Sequence, residues 1–133
     1  MTQVKDMTDQ QLNRALAELM GWTVEIGPVT RLWRLMKDGK IKATSGESEE
    51  LMWSYAPDYS NDSAASLEVQ ATATRVDAGG YIQNLLIVMF GELVYEREFS
   101  NRLLDFMTAA KINNASPRER AEAAYITLQG ARE

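Results

Sequence analysis

Apolar side chains recur at helical spacing near the start of the chain. After Thr8 they form a single stripe of residues three or four positions apart: Leu12, Ala15, Leu16, Leu19 and Met20. Thr8 and Gln11 have the spacing of a capping box, in which each side chain binds the backbone amide of the other residue. This pattern predicts a helix that begins near Thr8, and it places Leu16 in the hydrophobic core.

After this helix, apolar residues alternate with polar ones, which is typical of strands. Turns at Gly27-Pro28 and Asp38-Gly39 divide the stretch into three predicted strands: Thr23–Ile26, Arg31–Lys37 and Ile41–Thr44. Trp22, at the exit from the helix, is predicted to join the helix to this sheet within the core. Ser45–Glu50 is small, polar and acidic, so we expect an exposed loop there.

The next segment predicts a helix followed by a hairpin. Pro57–Asp62 is a turn rich in capping side chains, and the residues after it repeat at helical spacing: Ala64, Leu67, Ala71 and Thr74. Asp77–Gly80 contains two glycines, which favours a helix end. The mostly apolar run Tyr81–Phe90 predicts a strand, which a turn at Gly91-Glu92 joins to a partner strand over Leu93–Phe99.

The last third of the chain predicts one clear helix. Ser100–Ile112 fits either a helix or a loop. Ser116–Glu119 then supplies a capping serine, a first-turn proline and a capping-box glutamate, so a C-terminal helix begins there. Neither a repeat nor a linker interrupts the chain. The pattern therefore predicts one α+β domain over residues 1–133, with a loose N-terminal arm at residues 1–7.

Composition narrows the possible chemistry. The 133 residues include no cysteine and no histidine, which excludes a disulfide, a catalytic thiol, an imidazole base and a Cys/His zinc site. The 19 acidic and 14 basic residues give a net charge of -5, which is unfavourable for generic nucleic-acid binding. The longest apolar run has six residues, far short of a membrane span. The absence of cysteine suits a reducing cytoplasm.

One candidate ligand site lies at the predicted start of the second helix. Helix N-termini offer free amides to anions, and aromatic side chains beside them can stack on a ring-bearing ligand. The candidates are three aromatic residues, two polar residues of the turn and two cations of the hairpin: Trp53, Tyr55, Tyr59, Ser60, Asn61, Arg34 and Lys37. The favoured alternative is that the aromatics pack in the core, while Asp58 and Asp62 form the turn and the helix cap.

No metal centre, cofactor site or catalytic set is predicted. Counting from Asp58, the sixth and twelfth positions of a calcium loop would be Ser63 and Val69 instead of glycine and glutamate. Soft and imidazole ligands are missing, so we expect no tightly bound transition metal. Carboxylates can act as general acids and bases without histidine, so an enzyme is disfavoured and not excluded.

Three groups of capping and turn motifs follow one another along the chain: Met7–Asn13 with Ala17–Trp22, Pro57–Asp62 with Ala64-Ala65, and Ala115–Ala124. In their order and spacing they resemble the phage ABA-sandwich domain, a family of small bacteriophage proteins of unknown function. The resemblance implies a three-layer α/β/α sandwich with a mostly antiparallel sheet, and a phage source. It supplies no activity and no catalytic residues.

The preferred hypothesis is a non-enzymatic bacteriophage accessory protein in the host cytoplasm, which binds a host component such as a host-defence factor. The first alternative is a protein that binds or sequesters a nucleotide-like signal. The second, ranked below both, is a carboxylate- or metal-dependent enzyme. The expected partner is a host protein or a small nucleotide-like ligand, without generic nucleic acid or membrane, and homo-oligomerisation is left open.

Overall fold

The described part of the chain, residues 3–91 and 106–132, combines helices with one antiparallel sheet in this computed structural model. It confirms the α+β class. From Asp9 to Ser45 the chain forms one α-helix and three strands: α1 (Asp9–Leu19), β1 (Trp22–Ile26), β2 (Trp33–Lys37) and β3 (Lys40–Ser45). Further helices follow: α2 (Glu49–Trp53), α3 (Ser63–Phe90), α4 (Phe106–Asn113) and α5 (Pro117–Arg132). None of the helices in the described ranges is long and apolar enough to cross a membrane.

Helix α1 begins as its sequence predicts. The Thr8 hydroxyl accepts a hydrogen bond from the Gln11 amide at 3.1 Å, and the Gln11 side chain accepts one from the Thr8 amide at 2.9 Å. The two bonds form the expected capping box, which satisfies amides that a helix start leaves free. The apolar stripe faces inward, with Leu16 fully buried beside Leu12 and Ala17. The prediction that Leu16 belongs to the core is confirmed.

The three strands pair in the order β1-β2-β3, each antiparallel to its neighbour. One face of the sheet packs against the helices, and at its centre Leu35 is 1% exposed between Val24 and Ala43. Trp22, half-buried at the start of β1, packs against the same core and joins α1 to the sheet as predicted. The opposite face carries exposed residues: Thr23, Glu25 and Thr44.

Backbone conformation fixes both connections of the sheet. Asp38 and Gly39 have φ of 54° and 76°, the left-handed geometry of the two-residue turn that the sequence predicts between β2 and β3. The strand predicted from Arg31 begins later, at Trp33. Arg31 has a φ of 58°, a left-handed conformation that an extended strand does not contain.

The segment Ser45–Glu50, expected to be an exposed loop, contributes to both neighbouring elements. Strand β3 runs through Ser45, and α2 begins at Glu49. The Ser48 hydroxyl caps this helix by accepting the Leu51 amide at 3.1 Å. The cap positions the fully buried Met52 in the core one turn later. The expectation of a loop is therefore wrong at both ends of the segment.

Helix α3 extends through the region predicted as a strand, so the strand over Tyr81–Phe90 is wrong. A buried helix and a buried strand can share the same apolar run, and periodicity alone does not separate them. The predicted helix end at Asp77–Gly80 is a kink: Asp77 has φ -158° and ψ 87°, outside the helical range. Leu93–Phe99 and Glu92 of the predicted hairpin lie outside the described residues.

The kink in α3 is itself capped. The Asp77 carboxylate accepts the Gly80 amide at 2.9 Å and starts the second half of the helix. Tyr81, 2% exposed, donates its hydroxyl to the Gln70 side chain at 2.8 Å and ties the two halves together. The sequence of Ser100–Ile112 fits either a helix or a loop, and the described residues of this segment, from Phe106 onward, are helical.

Helix α5 packs along α3, and a buried cation links their first turns. Arg120 is 8% exposed and donates from Nε to the Ser66 hydroxyl at 2.9 Å. It also donates to the Ala115 carbonyl just before α5. Asn84, in the second half of α3, donates to the Thr127 hydroxyl at 2.9 Å. Both halves of α3 are therefore bonded to the same helix.

The N-terminal segment expected to be a loose arm contains a short 3-10 helix at Val4–Asp6, held by Arg118. Arg118 donates to the Val4 and Met7 carbonyls at 3.1 and 2.7 Å. It also forms ion pairs with Asp9 at 2.8 Å and with Glu122 at 2.7 Å. Burial alone lowers the pKa of Arg118, but the bonds and charges of the two carboxylates outweigh burial and raise it.

Alanine at Gly79 and at Gly80, tested separately, should reveal the cap at the kink. A Cβ on Gly80 would lie 2.2 Å from the Asp77 carboxylate, which must move and lose its bond, whereas a Cβ on Gly79 would lie 4.0 Å away. Both changes gain helix propensity, but the first also loses a cap. We expect Gly79→Ala to be more stable than Gly80→Ala by about 1 kcal/mol in urea unfolding.

The Asp77→Ala background provides the control for this comparison. Without the Asp77 carboxylate there is no cap to lose, so the two alanine variants should then unfold with equal free energies. A difference that persists in this background would contradict the assigned role of Asp77.

Arg118→Ala should destabilise the fold by about 2–4 kcal/mol, because a charged donor is lost and the buried Glu122 loses its cation. Urea unfolding measures the loss, and amide hydrogen exchange should accelerate over residues 4–9. Arg14→Ala is the matched control, since Arg14 pairs with Glu18 and Glu49 at the surface and should cost about 1 kcal/mol or less. Equal losses in the two variants would argue against the assigned role of Arg118 in holding the N-terminal segment.

Candidate functional site

The candidate residues surround the turn between α2 and α3, and α1 fixes that turn. The Asn13 side-chain oxygen accepts the backbone amide and the hydroxyl of Ser60, both at 2.9 Å. Its nitrogen donates to the Asp58 carboxylate at 2.8 Å. Ser60 is 2% exposed. Its amide and hydroxyl are therefore engaged within the fold and are not free to bind an anion.

Acidic side chains surround the start of α3. Asp62 is the N-cap and accepts the Ala64 amide at 2.9 Å. Asn61 donates to Asp58 and to Asp9, each at 3.2 Å. The alternative in which Asp58 and Asp62 form the turn and the cap is confirmed. An anion at this helix start would meet three carboxylates, which oppose the attraction of the helix dipole.

The three aromatic candidates do not form a common wall. Tyr59 is fully buried, Trp53 is half-buried and Tyr55 is 56% exposed. The guanidinium carbon of Arg14 lies 5.0 Å from the centroid of the Trp53 ring, a cation–π contact. The ring of Tyr59 is enclosed in the core, in agreement with the favoured alternative of core packing, and it presents no exposed face to a ligand.

The two cationic candidates, Arg34 and Lys37, lie three positions apart on β2 and therefore on opposite faces of the sheet. Arg34 pairs with Glu25 of the neighbouring strand at 2.6 Å. Lys37 donates to the Met20 carbonyl, and its ammonium lies 5.9 Å from the centroid of the Trp22 ring. The structure therefore does not bring the two cations to one site.

A groove of about 530 Å³ lies beside α3, at the end of α1 and the turn between β2 and β3. Its lining contains one of the candidates, Lys37, among eight residues: Leu19, Met20, Lys37, Asp38, Glu68, Ala71, Thr72 and Arg75. The volume is in the range of small-molecule sites, but two cations and two carboxylates share the lining. Within the described ranges, no group of three or more Asp or Glu residues is arranged to hold a metal ion.

The Tyr59 hydroxyl is a buried polar group without a hydrogen-bond partner among the described residues. Burial, and after it the negative charge of Glu68, raise the pKa of Tyr59 from 10.0 to about 12. The nearby Trp22 indole lowers the pKa of Tyr59 and so opposes this shift, although it forms no hydrogen bond of normal geometry with the Tyr59 hydroxyl. Burial also raises the pKa of Tyr81, against the opposing charge of Arg120.

Sequence reasoning missed an exposed apolar surface at the connection between β1 and β2. We call residues Ile26–Leu32 the apolar loop, because three of its side chains face solvent: Ile26 at 49%, Val29 at 90% and Leu32 at 38% exposure. The sequence did contain one signal. Turns are dominated by glycine, proline, asparagine, aspartate and serine, and here a valine follows Gly27-Pro28.

Tyr59→Phe should flatten the loss of stability at alkaline pH. The raised pKa means that the folded state holds the phenol proton more tightly than the unfolded chain, so this stability is complete below about pH 10 and is lost as pH rises toward 12. At neutral pH the variant should stay within about 1 kcal/mol of wild type, because the removed hydroxyl has no partner. Urea unfolding across this pH range provides the measurement.

Tyr55→Phe is the matched control for this titration. Tyr55 is exposed, so its variant should lose stability at alkaline pH as the wild type does. If Tyr55→Phe and Tyr59→Phe gave the same alkaline profile, the buried phenol would not be the titrating group.

No protein-family model matches the chain, and neither a curated protein nor a solved structure matches it. The likeness of its capping and turn motifs to the phage ABA-sandwich domain therefore stays a prediction made from the sequence.

Proposed function

We propose that the chain is a non-enzymatic bacteriophage accessory protein that binds a host component, such as a host-defence protein, through the apolar loop. The observation that carries this proposal is the 90% exposure of Val29 at the tip of a loop with a fixed backbone. Apolar side chains exposed together favour a protein partner, which can bury them.

Internal hydrogen bonds fix the backbone of the apolar loop. The Gly27 amide donates to the Leu32 carbonyl at 2.8 Å, and the Arg31 amide donates to the Gly27 carbonyl at 3.0 Å. The Leu32 amide donates to the Thr30 hydroxyl at 3.3 Å. A Cβ on Gly27 would lie 2.7 Å from that hydroxyl, so the close approach needs glycine. A preorganised loop loses little conformational entropy when it binds.

Charge on the apolar loop favours a partner with an acidic rim. Arg31 is exposed beside Val29 and has a left-handed φ of 58°, a conformation that costs energy in a residue with a Cβ. Strained backbone of this kind is concentrated at functional sites. Arginine is also one of the residues enriched among those that dominate the binding energy of protein interfaces.

The phage source, the host cytoplasm and the three-layer α/β/α arrangement belong to the same proposal, and the motif resemblance supports them. The sheet residues that belong to the core or pack against it lie on one face: Trp22, Val24, Trp33, Leu35 and Ala43. A third layer would lie over the face that carries Thr23, Glu25 and Thr44. The nucleotide-binding alternative is supported less, because the buried Tyr59 and the separated Arg34 and Lys37 do not form one pocket.

Val29→Asp should weaken partner binding, because it places a charge where the partner would bury an apolar side chain. Folding should stay intact, because Val29 is 90% exposed and does not belong to the core. Affinity capture from a phage-infected host lysate, with quantitative mass spectrometry, should show enrichment of a host protein reduced by about tenfold or more. Gln10→Asp adds the same charge at an exposed site on α1 and should capture as wild type does. The proposal fails if no host protein is enriched, or if all three proteins capture equally.

A further inference from the structure

The groove beside α3 combines the volume of a small-molecule site with charges of both signs. Its volume of about 530 Å³ lies in the range of cavities that bind small ligands. Leu19, Met20 and Ala71 give it apolar surface. The lining also includes two cations and two carboxylates: Lys37, Arg75, Asp38 and Glu68. A ligand that fits this groove must therefore complement both signs of charge.

The four charged side chains of the groove form no ion pairs within residues 3–91 and 106–132. Glu68 and Arg75 are exposed on α3, and Asp38 is exposed in the turn after β2. With two charges of each sign the lining is electrically balanced, whereas the whole chain has a net charge of -5. Electrostatic complementarity therefore favours a ligand that carries a cation and an anion over a simple ion of either sign.

Glu68 and Arg75 set the separation of the two ligand charges. They are almost two helical turns apart on α3, so they share one line along the helix, with a rise of about 10 Å between them. Arg75 donates to the Thr72 hydroxyl at 3.1 Å, and because Thr72 also lines the groove, this bond holds the guanidinium beside it. Glu68 lies close enough to the buried Tyr59 for its charge to raise the pKa of that phenol. A ligand along α3 therefore has its two charges about 10 Å apart.

The end of β2 and the turn after it give the groove a further hydrogen-bond donor and an acceptor. Lys37 donates to the Met20 carbonyl, which uses one of the three donors of its ammonium group. The Asp38 carboxylate is an acceptor, and the left-handed φ of 54° in the turn fixes the backbone that carries it. Each peptide group has one donor and one acceptor, so a ligand with peptide groups matches this pair, whereas an alkyl chain does not.

We propose that the groove binds a short free peptide of about three residues, with its amino terminus at Glu68 and its carboxyl terminus at Arg75. An extended chain spans about 3.3–3.6 Å per residue, so three residues cover the distance between the two charges. The peptide groups between the termini bond to Lys37 and Asp38. A segment within a longer chain lacks the free termini and does not match. The groove is separate from the apolar loop, so this site does not rest on binding of a host protein there.

Trialanine is the probe, and an NMR titration of the full chain measures its dissociation constant from the backbone amides of the groove. We expect a value on the order of 0.1–1 mM, because the ligand is small and its ion pairs are exposed. N-acetyl-trialanine and trialanine amide each lack one terminal charge, and each should bind about fivefold more weakly. The compound 8-aminooctanoic acid has as many bonds between its charges as trialanine but no peptide group, so it should also bind more weakly.

Two variants assign the termini of the peptide. Glu68→Gln should weaken trialanine about fivefold and leave N-acetyl-trialanine unchanged, since that peptide has no amino charge to lose. Arg75→Gln should likewise weaken trialanine and leave trialanine amide unchanged. Glu47→Gln and Lys42→Gln remove exposed charges outside the groove lining and should bind as wild type does. Circular dichroism and thermal unfolding confirm folding, which these exposed positions should not affect.

Three results would overturn the proposal. The first is that trialanine at several millimolar shifts no amide of the groove. The second is equal binding of trialanine, its two blocked forms and 8-aminooctanoic acid. The third is that Glu68→Gln and Arg75→Gln weaken the blocked peptides as much as they weaken trialanine. None of these measurements depends on binding by the apolar loop.

Discussion

The break at Asp77 is the constraint on which the helical core depends. Buried residues of α3 lie four positions apart before and after it: Ala65, Val69, Ala73, Tyr81 and Leu85. In an unbroken helix a spacing of four drifts by about 40° at each step, so Tyr81 would face almost opposite to Ala65. The non-helical backbone of Asp77 resets this direction. Both halves of α3 can then pack against α5, as the bonds of Ser66 with Arg120 and of Asn84 with Thr127 show.

Two arginines in the first turns of α5 complete this core, although a cation at a helix start opposes the dipole. Arg120 hydrogen-bonds the neutral Ser66 hydroxyl and Ala115 carbonyl. Arg118 extends from α5 to the N-terminal segment and donates hydrogen bonds to two carbonyls there. Asp9 and Glu122 are its counter-ions. Hydrogen bonding and ion pairing thus compensate the unfavourable position, and these arginines act as ties between distant parts of the chain.

The candidate ligand site was predicted as a set of residues close in sequence, and the structure uses most of them to hold elements together. Ser60 and Asn61 bind α1 through Asn13 and Asp9, and Tyr59 lies in the core. The sequence of the turn does not indicate the bonds to α1, because Asn13 and Asp9 lie more than forty residues away from Ser60 and Asn61. The apolar loop was missed because the exposure of a side chain depends on whether other parts of the fold cover it, and the sequence of the loop does not show this.

The sequence by itself determined the local features of this protein. The capping box of Thr8 and Gln11, the turn at Asp38 and Gly39 and the N-cap at Asp62 all rest on contacts within about one helical turn or one hairpin. The apolar stripe of α1 is likewise visible in the spacing of residues along the helix. Only the tertiary structure decided that Tyr81–Phe90 is helix instead of strand, because an apolar run can be buried in either form and packing against α5 selects one. Burial and long-range pairing also decided the roles of Tyr59, Asn13 and Arg118. Their free energy comes from neighbours that folding brings together, and those neighbours are not encoded in any local pattern.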